Sequence, residues 1–244
     1  LPTSRFKLAL AVASVASSYS PQPTRAADAG LPDAGGGADR PRCAVLQRYE
    51  GNATFFAFGD GVGSCGIGRK RGDAGVAALS VAEYSASANC GACVRVSGPR
   101  GTVLVRVVDR CVHCKPGDID LNGSAFDAIA TRSDGRVPVT WSYVPCSDSG
   151  PLSYHFRKGS SPLRTAVQVR HHRHAVRELE YLDADGRFVS VRRDAYDYFV
   201  HRMSTGPYTF RITDVHGARV IERDVRHRPA REVVGTVQFP ECQP

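Results

Sequence analysis

Val94-Arg-Val-Ser-Gly-Pro-Arg-Gly-Thr-Val-Leu-Val-Arg-Val-Val-Asp-Arg-Cys111 decides the fold class. Val94-Arg95-Val96 and Thr102 to Val108 are β-type runs of strand length, and Gly98-Pro99 with Gly101 mark a turn between them. The stretch reads as part of a barrel-like β domain that begins near Cys43 and extends to Cys146. One helix interrupts it: Ser124 is positioned to cap its N-terminus, Asp127 sits three residues on, and Phe126, Ile129 and Ala130 form an apolar stripe. Trp141, the only tryptophan, falls in a late strand of this domain and reads as core.

A break follows at Ser147 to Pro151, where Ser, Asp, Gly and Pro succeed one another. Beyond it, β-type runs recur at sandwich-like spacing: Ala166–Val169, Val176–Tyr181, Phe188–Val191, Tyr208–Ile212 and Val233–Phe239. Asp185-Gly186 and His216-Gly217 read as hairpin turns. At the other end, Arg5 and Lys7 precede an apolar run from Leu8 to Ala16 and the small residues Ser17 and Ser18, the pattern of a secretory signal. That run is too short to span a bilayer. Pro21 to Pro41 is rich in Pro, Ala, Gly and Asp and reads as a flexible spacer. The organisation expected is a signal peptide over residues 1–27, a disordered linker over 28–41, a barrel over 42–147 and a sandwich over 148–244.

The chain has 244 residues, 42% hydrophobic and 23% charged, which suits one or two globular domains. Its net charge of +8 points to polyanionic partners such as pectin, teichoic acid or peptidoglycan. Nucleic acid, the other usual partner of a basic chain, is disfavoured by the secretory start and by the lack of a recognisable binding motif. The last domain is the more basic part: residues 149–244 hold sixteen Lys or Arg against eleven Asp or Glu, and seven of the eight histidines. Acid pH would add charge there.

Eight cysteines suit an oxidising compartment. Cys90-Gly-Ala-Cys93 and Cys111-Val-His-Cys114 also have the spacing of a four-cysteine zinc site. The secretory start and the four further cysteines, Cys43, Cys65, Cys146 and Cys242, favour disulfides and no metal. Spacing does not decide among 105 connectivities. Proximity suggests a small Cys111–Cys114 loop, and Cys43 with Cys242 would tie the first domain's start to the second domain's end. A strand over the histidine-rich stretch would put His172 and His174 on one face, a pair that more often decorates a sheet than binds metal.

Two aspartates stand out. Asp109 ends the apolar strand Val103–Val108, and Asp120 lies in Gly117-Asp-Ile-Asp-Leu-Asn122 just before the helix. Strand ends and loops are where a scaffold presents chemistry. Beside another carboxylate in a partly dry groove, such an acid has a raised pKa and can protonate a glycosidic oxygen. The plainer alternative is that both cap turns.

Read together and in order, Gly51-Asn-Ala-Thr-Phe-Phe56, Gly63-Ser-Cys-Gly66, Cys90-Gly-Ala-Cys93, Val107-Val-Asp-Arg-Cys111, Asp118-Ile-Asp-Leu121 with Ala125-Phe126, and Val139-Thr-Trp-Ser-Tyr-Val144 resemble the first domain of expansins. Gly159-Ser-Ser161, Ala166-Val-Gln-Val-Arg170, Tyr196 to Val200 and Val237-Gln-Phe-Pro240 resemble the second domain of microbial expansins. The resemblance implies a mainly β protein: a six-stranded double-psi β-barrel related to family-45 glycoside hydrolases, followed by an immunoglobulin-like carbohydrate-binding β-sandwich. It implies a secreted, monomeric, cofactor-free protein that binds plant or microbial cell-wall polysaccharide and loosens it without hydrolysis. Asp120 matches the family's acid position, while the second carboxylate that hydrolysis requires has no counterpart. Asp109 matches a groove partner and Thr54 a groove threonine.

The departures bear on substrate. Leu163 and Arg164 stand where many expansins carry two adjacent tryptophans, whereas Tyr196 matches the third platform aromatic. Phe56 replaces a small polar groove residue, and Cys111 aligns with a groove aromatic of some bacterial members. With fewer rings to stack on a flat glucan, binding is expected to lean on Arg164 and its neighbours and on acidic polymers. Two other functions share the barrel: a lytic transglycosylase or weak glucanase using a lone aspartic acid, and a glycan-binding module that does not loosen walls.

Overall fold

The computed structural model describes Cys43 and residues 47–242 apart from Asp60 and Ser149. The expected signal peptide and linker lie outside the described residues. Six strands close a barrel: β1 (Arg48–Phe56), β2 (Val76–Ser80), β3 (Cys93–Gly98), β4 (Gly101–Cys111), β5 (Ile119–Asn122) and β6 (Val137–Val144). Their order around the barrel is β1-β5-β2-β4-β3-β6. The β1–β5 and β2–β4 pairs are parallel and the others antiparallel. The quoted stretch folds as read, with β3 and β4 forming a hairpin closed by Gly98 opposite Gly101.

Alternation explains the interior. Val94 and Val96 of β3, Val103, Val105 and Val107 of β4, and Ile119 and Leu121 of β5 point into one core with Trp141. The indole is fully packed, stacked on Tyr49 at 4.1 Å between ring centroids, and its Nε1 donates to the Gly117 carbonyl at 2.8 Å. The helix is shorter than expected. It spans Gly123–Asp127 as α2, α1 being Val81–Tyr84. Ser124 does not cap it: Asn122 occupies the N-cap position, its Oδ1 accepting from the Val76 N–H and its Nδ2 donating to Ser124 Oγ at 2.8 Å. The apolar stripe is buried as expected.

The second domain is a two-layer β-sandwich. One sheet holds β9 (Val176–Leu182), β10 (Phe188–Ser190), β13 (Tyr208–Asp214) and β14 (Arg219–Val225) in the order β10-β9-β13-β14. The other holds β7 (Ser153–Phe156), β8 (Thr165–Arg170), β11 (Arg192–Arg193), β12 (Phe199–His201) and β15 (Glu232–Val234) in the order β11-β12-β8-β7-β15. Tyr154, Phe156, Val167, Val169, Leu179, Phe199, Phe210 and Ile212 fill the space between the sheets.

In this domain the chain departs from the expected strands at two places. The run Val233–Phe239 is a strand only as far as Val234, because the N–H groups of Thr236 and Val237 turn to the buried Glu222 carboxylate instead of a ladder. His172 and His174 are not on a strand: β8 ends at Arg170, and His171 adopts a left-handed φ of 59° that breaks the alternation. Both are buried in the connection to β9.

All eight cysteines are paired, as Cys43–Cys242, Cys65–Cys90, Cys93–Cys146 and Cys111–Cys114. The four-cysteine zinc reading of the two CxxC segments gives way, because only Cys111 and Cys114 are bonded within a segment. The barrel and the sandwich are locked by polar contacts. Arg106 reaches Asp73, the Gly91 carbonyl and Asp148 in the connection between β6 and β7, and Lys70 also pairs with Asp148. Gln168 Nε2 donates to the Cys65 carbonyl at 2.8 Å, and Arg170 Nη2 to the Gly66 carbonyl at 3.1 Å.

Candidate functional site

The barrel face that carries the two candidate acids is built around Ala78. In β2 this residue is opposite Asp120 of β5 on one side and Asp109 of β4 on the other. Asp120 reaches this face by simple alternation, between the core residues Ile119 and Leu121. Asp109 does not, because counting by twos from Val105 and Val107 would send it into the core. The β2–β4 register shifts between Ala77 and Ala78, so that Val108 is skipped and Asp109 falls opposite Ala78. A bulge of this kind re-aims a side chain, and here it brings the second carboxylate out onto the same face as the first, with β2 between them.

Thr54 of β1 is the register partner of Asp120, and its hydroxyl donates to Asp120 Oδ1 at 2.7 Å. Burial pushes the Asp120 carboxyl above the usual carboxylate range. The Thr54 hydrogen bond opposes that rise, and the charge of Asp109 adds to it. Asp109 is oriented by the loop before β2: its Oδ1 accepts from the N–H groups of Ser64 and Arg110, both at 2.7 Å. Gly63 makes that crossing feasible, since a Cβ there would stand 2.8 Å from the Asp109 side chain. Phe56, two residues beyond Thr54, projects from the same side of β1 and packs edge-on against Phe58. Thr54, Phe56, Asp109 and Asp120 are thus brought together. The neighbouring acid Asp118 is structural: burial would raise its pKa, but hydrogen bonds from Asn52 and the Arg136 guanidinium hold it below the ordinary range.

From Asp109 the surface continues onto the sandwich. Ser64, Tyr84, Arg110, Arg192 and Tyr196 line an open depression of about 390 Å³. The Tyr84 hydroxyl donates to the Ser64 carbonyl at 2.8 Å, and the Arg110 guanidinium lies over the Tyr84 ring. Tyr196 is 53% exposed in a left-handed turn with a φ of 63°, and its carbonyl accepts from Gln168 Nε2 at 2.6 Å. Arg164 is not part of this depression. It is exposed in the turn before β8, four residues from Gln168 and so roughly 13 Å further along the sheet. Leu163 beside it is also exposed.

Sequence reasoning missed Ser64, Tyr84, Arg110, Arg192 and the pair Arg157–Tyr198. Tyr198 is two residues from Tyr196, and the Arg157 guanidinium covers its ring at 5.5 Å while its hydroxyl meets His155 Nδ1 at 3.1 Å. The spacing of the two tyrosines by two carried no signal, because Tyr196 and Asp197 are both left-handed, with φ of 63° and 60°, and break the alternation. The arginines carried none, because each comes from a different segment.

A double-psi β-barrel carrying two acids on one face, joined to an immunoglobulin-like sandwich by disulfide and ionic ties, defines a class of two-domain β proteins. Comparison with known proteins makes this narrower. The family described as lytic transglycolase matches residues 49–141, the barrel. Expansin-YoaJ of Bacillus subtilis is 30% identical over 79% of this chain and 87% of its own length. Expansin-like protein 5 of Dictyostelium discoideum is 27% identical over 68% of this chain and 74% of its own. Among solved structures, a point mutant of Clavibacter michiganensis expansin in complex with cellohexaose matches at a TM-score of 0.75 and 27% identity, covering 81% of this chain and all of that one. The chain belongs to the expansin family, and with it to proteins that bind cell-wall polysaccharide.

Proposed function

We propose that this expansin is secreted, lays an extended wall glycan along the face from Phe56 and Asp120 past Tyr196 to Arg164, and loosens the wall without hydrolysing it. The observation that carries this reading is the pair of acids flanking Ala78, one protonatable and one tethered. Asp120, with its raised pKa, can donate a proton or hydrogen bond to a glycosidic oxygen. Inverting hydrolysis also needs a carboxylate free to activate water. Asp109 is held by two backbone N–H groups, Asp118 is committed to Asn52 and Arg136, and Glu83 accepts from Ser80 and Gly117. Among the described residues, an acid whose partner carboxylate is already oriented through Oδ1 by two backbone N–H groups supports exchange of glycan contacts over bond cleavage. Four disulfides suit an extracellular location.

The basic face selects among polymers. Arg110, Arg157, Arg164 and Arg192 stand along it where flat aromatic rings are few, which favours uronate- or phosphate-bearing glycans over crystalline cellulose. Cleavage by the lone acid is the second reading, supported by the description of the family that matches the barrel. Creep of heat-killed walls, read together with release of soluble sugars and anhydro-ends, separates the two. The expected result is extension without sugar release, abolished in Asp120→Asn. Sugar release that disappears in the same variant would establish the lytic reading instead.

A further inference from the structure

Away from the groove, the two ends of the folded chain meet two histidines. Cys43 precedes β1 and Cys242 follows β15. His174 comes from the β8–β9 connection and His216 from the tight turn between β13 and β14. One ligand atom from each of the four lies within 4.8 Å of the others. His174 Nε2 is 3.4 Å from Cys242 Sγ and 3.3 Å from the Pro240 carbonyl, a contact it gives up on taking a metal, and the two imidazoles meet edge to face with centroids 4.8 Å apart. His174 is buried, and the Nδ1 of His216 is buried with no hydrogen-bond partner. A buried ring nitrogen left without a partner asks for one.

We propose that these residues form a tetrahedral zinc site in the reduced chain, so that a metal ion and the Cys43–Cys242 disulfide are alternative occupants of one place. Two thiolates and two imidazoles are a standard structural zinc set. Zinc with sulfur at about 2.3 Å and nitrogen at about 2.0 Å places S and N roughly 3.5 Å apart and the two sulfurs roughly 3.8 Å apart. The His174–Cys242 separation already fits. The sulfurs need only part by somewhat under 2 Å from their disulfide distance. An open cavity of about 300 Å³, lined in part by His174, Val215 and His216, provides the path for the ion.

The exchange conserves atoms and electrons. A dithiol gives two electrons and two protons to the Cys43–Cys242 bond and becomes a disulfide itself. Zn²⁺ then displaces the two thiol protons. In the opposite direction a disulfide oxidant takes two electrons from the thiolates, their S–S bond forms and Zn²⁺ leaves. Before oxidation, the metal would hold the terminal pair in place and keep it from pairing with the other six cysteines. This site differs from the one suggested by the CxxC spacing, and neither His172 nor the groove takes part.

The test uses the full chain, reduced with a trialkylphosphine, which is oxidised to its oxide with oxygen from water. Co²⁺ is the spectroscopic probe and Zn²⁺ the competitor. The expected result is one Co²⁺ per chain with the visible bands of a tetrahedral two-thiolate site, displaced by Zn²⁺, and no binding to the oxidised chain. His216→Ala keeps all eight cysteines and should weaken binding roughly 100-fold or more. Cys43→Ser with Cys242→Ser should do the same, and thermal melting of each variant without reductant reports its fold. Absence of a tetrahedral spectrum in the reduced protein would overturn the proposal. So would unchanged affinity in both variants, which would place the metal on Cys90, Cys93, Cys111 or Cys114.

Discussion

Arg106 ties the barrel to Asp148 at the start of the second domain, and replacing it with alanine tests that tie. It is buried in β4, with Nε 3.0 Å from Asp73, Nη2 2.8 Å from Asp148 and Nη1 3.1 Å from the Gly91 carbonyl. Asp148 is itself buried, and among the described residues Lys70 would remain as the partner of its carboxylate. Removing one member of a buried ion pair costs about 3–5 kcal/mol, because the other charge is left in a poorly solvating place. With Lys70 retained, the lower end, about 3 kcal/mol, is expected, or a melting temperature lower by roughly 6 to 12 °C for a domain pair of this size. The deficit should depend on pH. Burial pushes the Asp148 carboxyl up, but Lys70 and Arg106 together hold it below its ordinary value, so its stabilising contribution exists above the unfolded pKa and fades as pH falls through the folded one. Without Arg106 burial dominates, the folded pKa rises, and the ionised form becomes a penalty that acid relieves. Urea melts of wild type, Arg106→Ala and Arg106→Ala with Asp148→Asn at pH 7.5 and 4.5 should therefore show the largest deficit at pH 7.5, with partial rescue by the second substitution. A deficit below about 1 kcal/mol at pH 7.5, or no rescue, would refute the assignment of this network as the lock between the domains.

Asp120→Asn should be slightly more stable than wild type at neutral pH, because a carboxyl whose folded pKa is raised costs stability once ionised and stops doing so as pH falls. Burial is the larger cause of that rise and the charge of Asp109 the smaller one; Asp109 lies two strand spacings away, roughly 10 Å, so its share of the relief is about 0.4 kcal/mol in a water-like dielectric and about 1.7 kcal/mol in a protein-like one. Solvent in the open groove favours the smaller figure, and urea melts at pH 7 and pH 4 should show the gap closing toward acid. Tyr196→Ala should weaken glycan binding about 2- to 12-fold, the equivalent of about 0.5–1.5 kcal/mol for one aromatic contact, in depletion assays at low salt. Binding of pectin-like polymers should fall as salt screens the arginines, whereas salt-insensitive binding to crystalline cellulose would reverse the polymer preference. Loop-closure entropy ranks the disulfides: loss of Cys65–Cys90, with a separation of 25, should cost about 3.5 kcal/mol, and loss of Cys111–Cys114, with a separation of 3, about 2 kcal/mol. Melting of the paired Cys→Ser variants checks the order.

The strands were legible where local pattern suffices. Val94–Val96 and Thr102–Val108 announce themselves as β because a strand exposes alternate residues to one face, and the same period places Asp120 beside Thr54 once β1 and β5 are paired. The turn at Gly98-Pro99, the buried stripe after Ser124 and the core position of Trp141 followed in the same way, and ordered segments carried the family. Other features were decided only by tertiary structure. The bulge that skips Val108 and turns Asp109 toward the groove depends on the register between β2 and β4, which neither strand encodes alone. The helix begins after Asn122 instead of Ser124, and Asn122 gives it no side-chain cap, because Val76, 46 residues away, claims the Asn122 Oδ1. Tyr196 was readable as an aromatic, but the depression around it gathers Ser64, Tyr84, Arg110 and Arg192 from separate segments. The cysteine pairing and the meeting of Cys43, His174, His216 and Cys242 are of the same kind. Local sequence determines which way a side chain faces along its own strand, whereas closure of the barrel and packing of the sandwich against it determine which side chains, scores of residues apart, come to face each other.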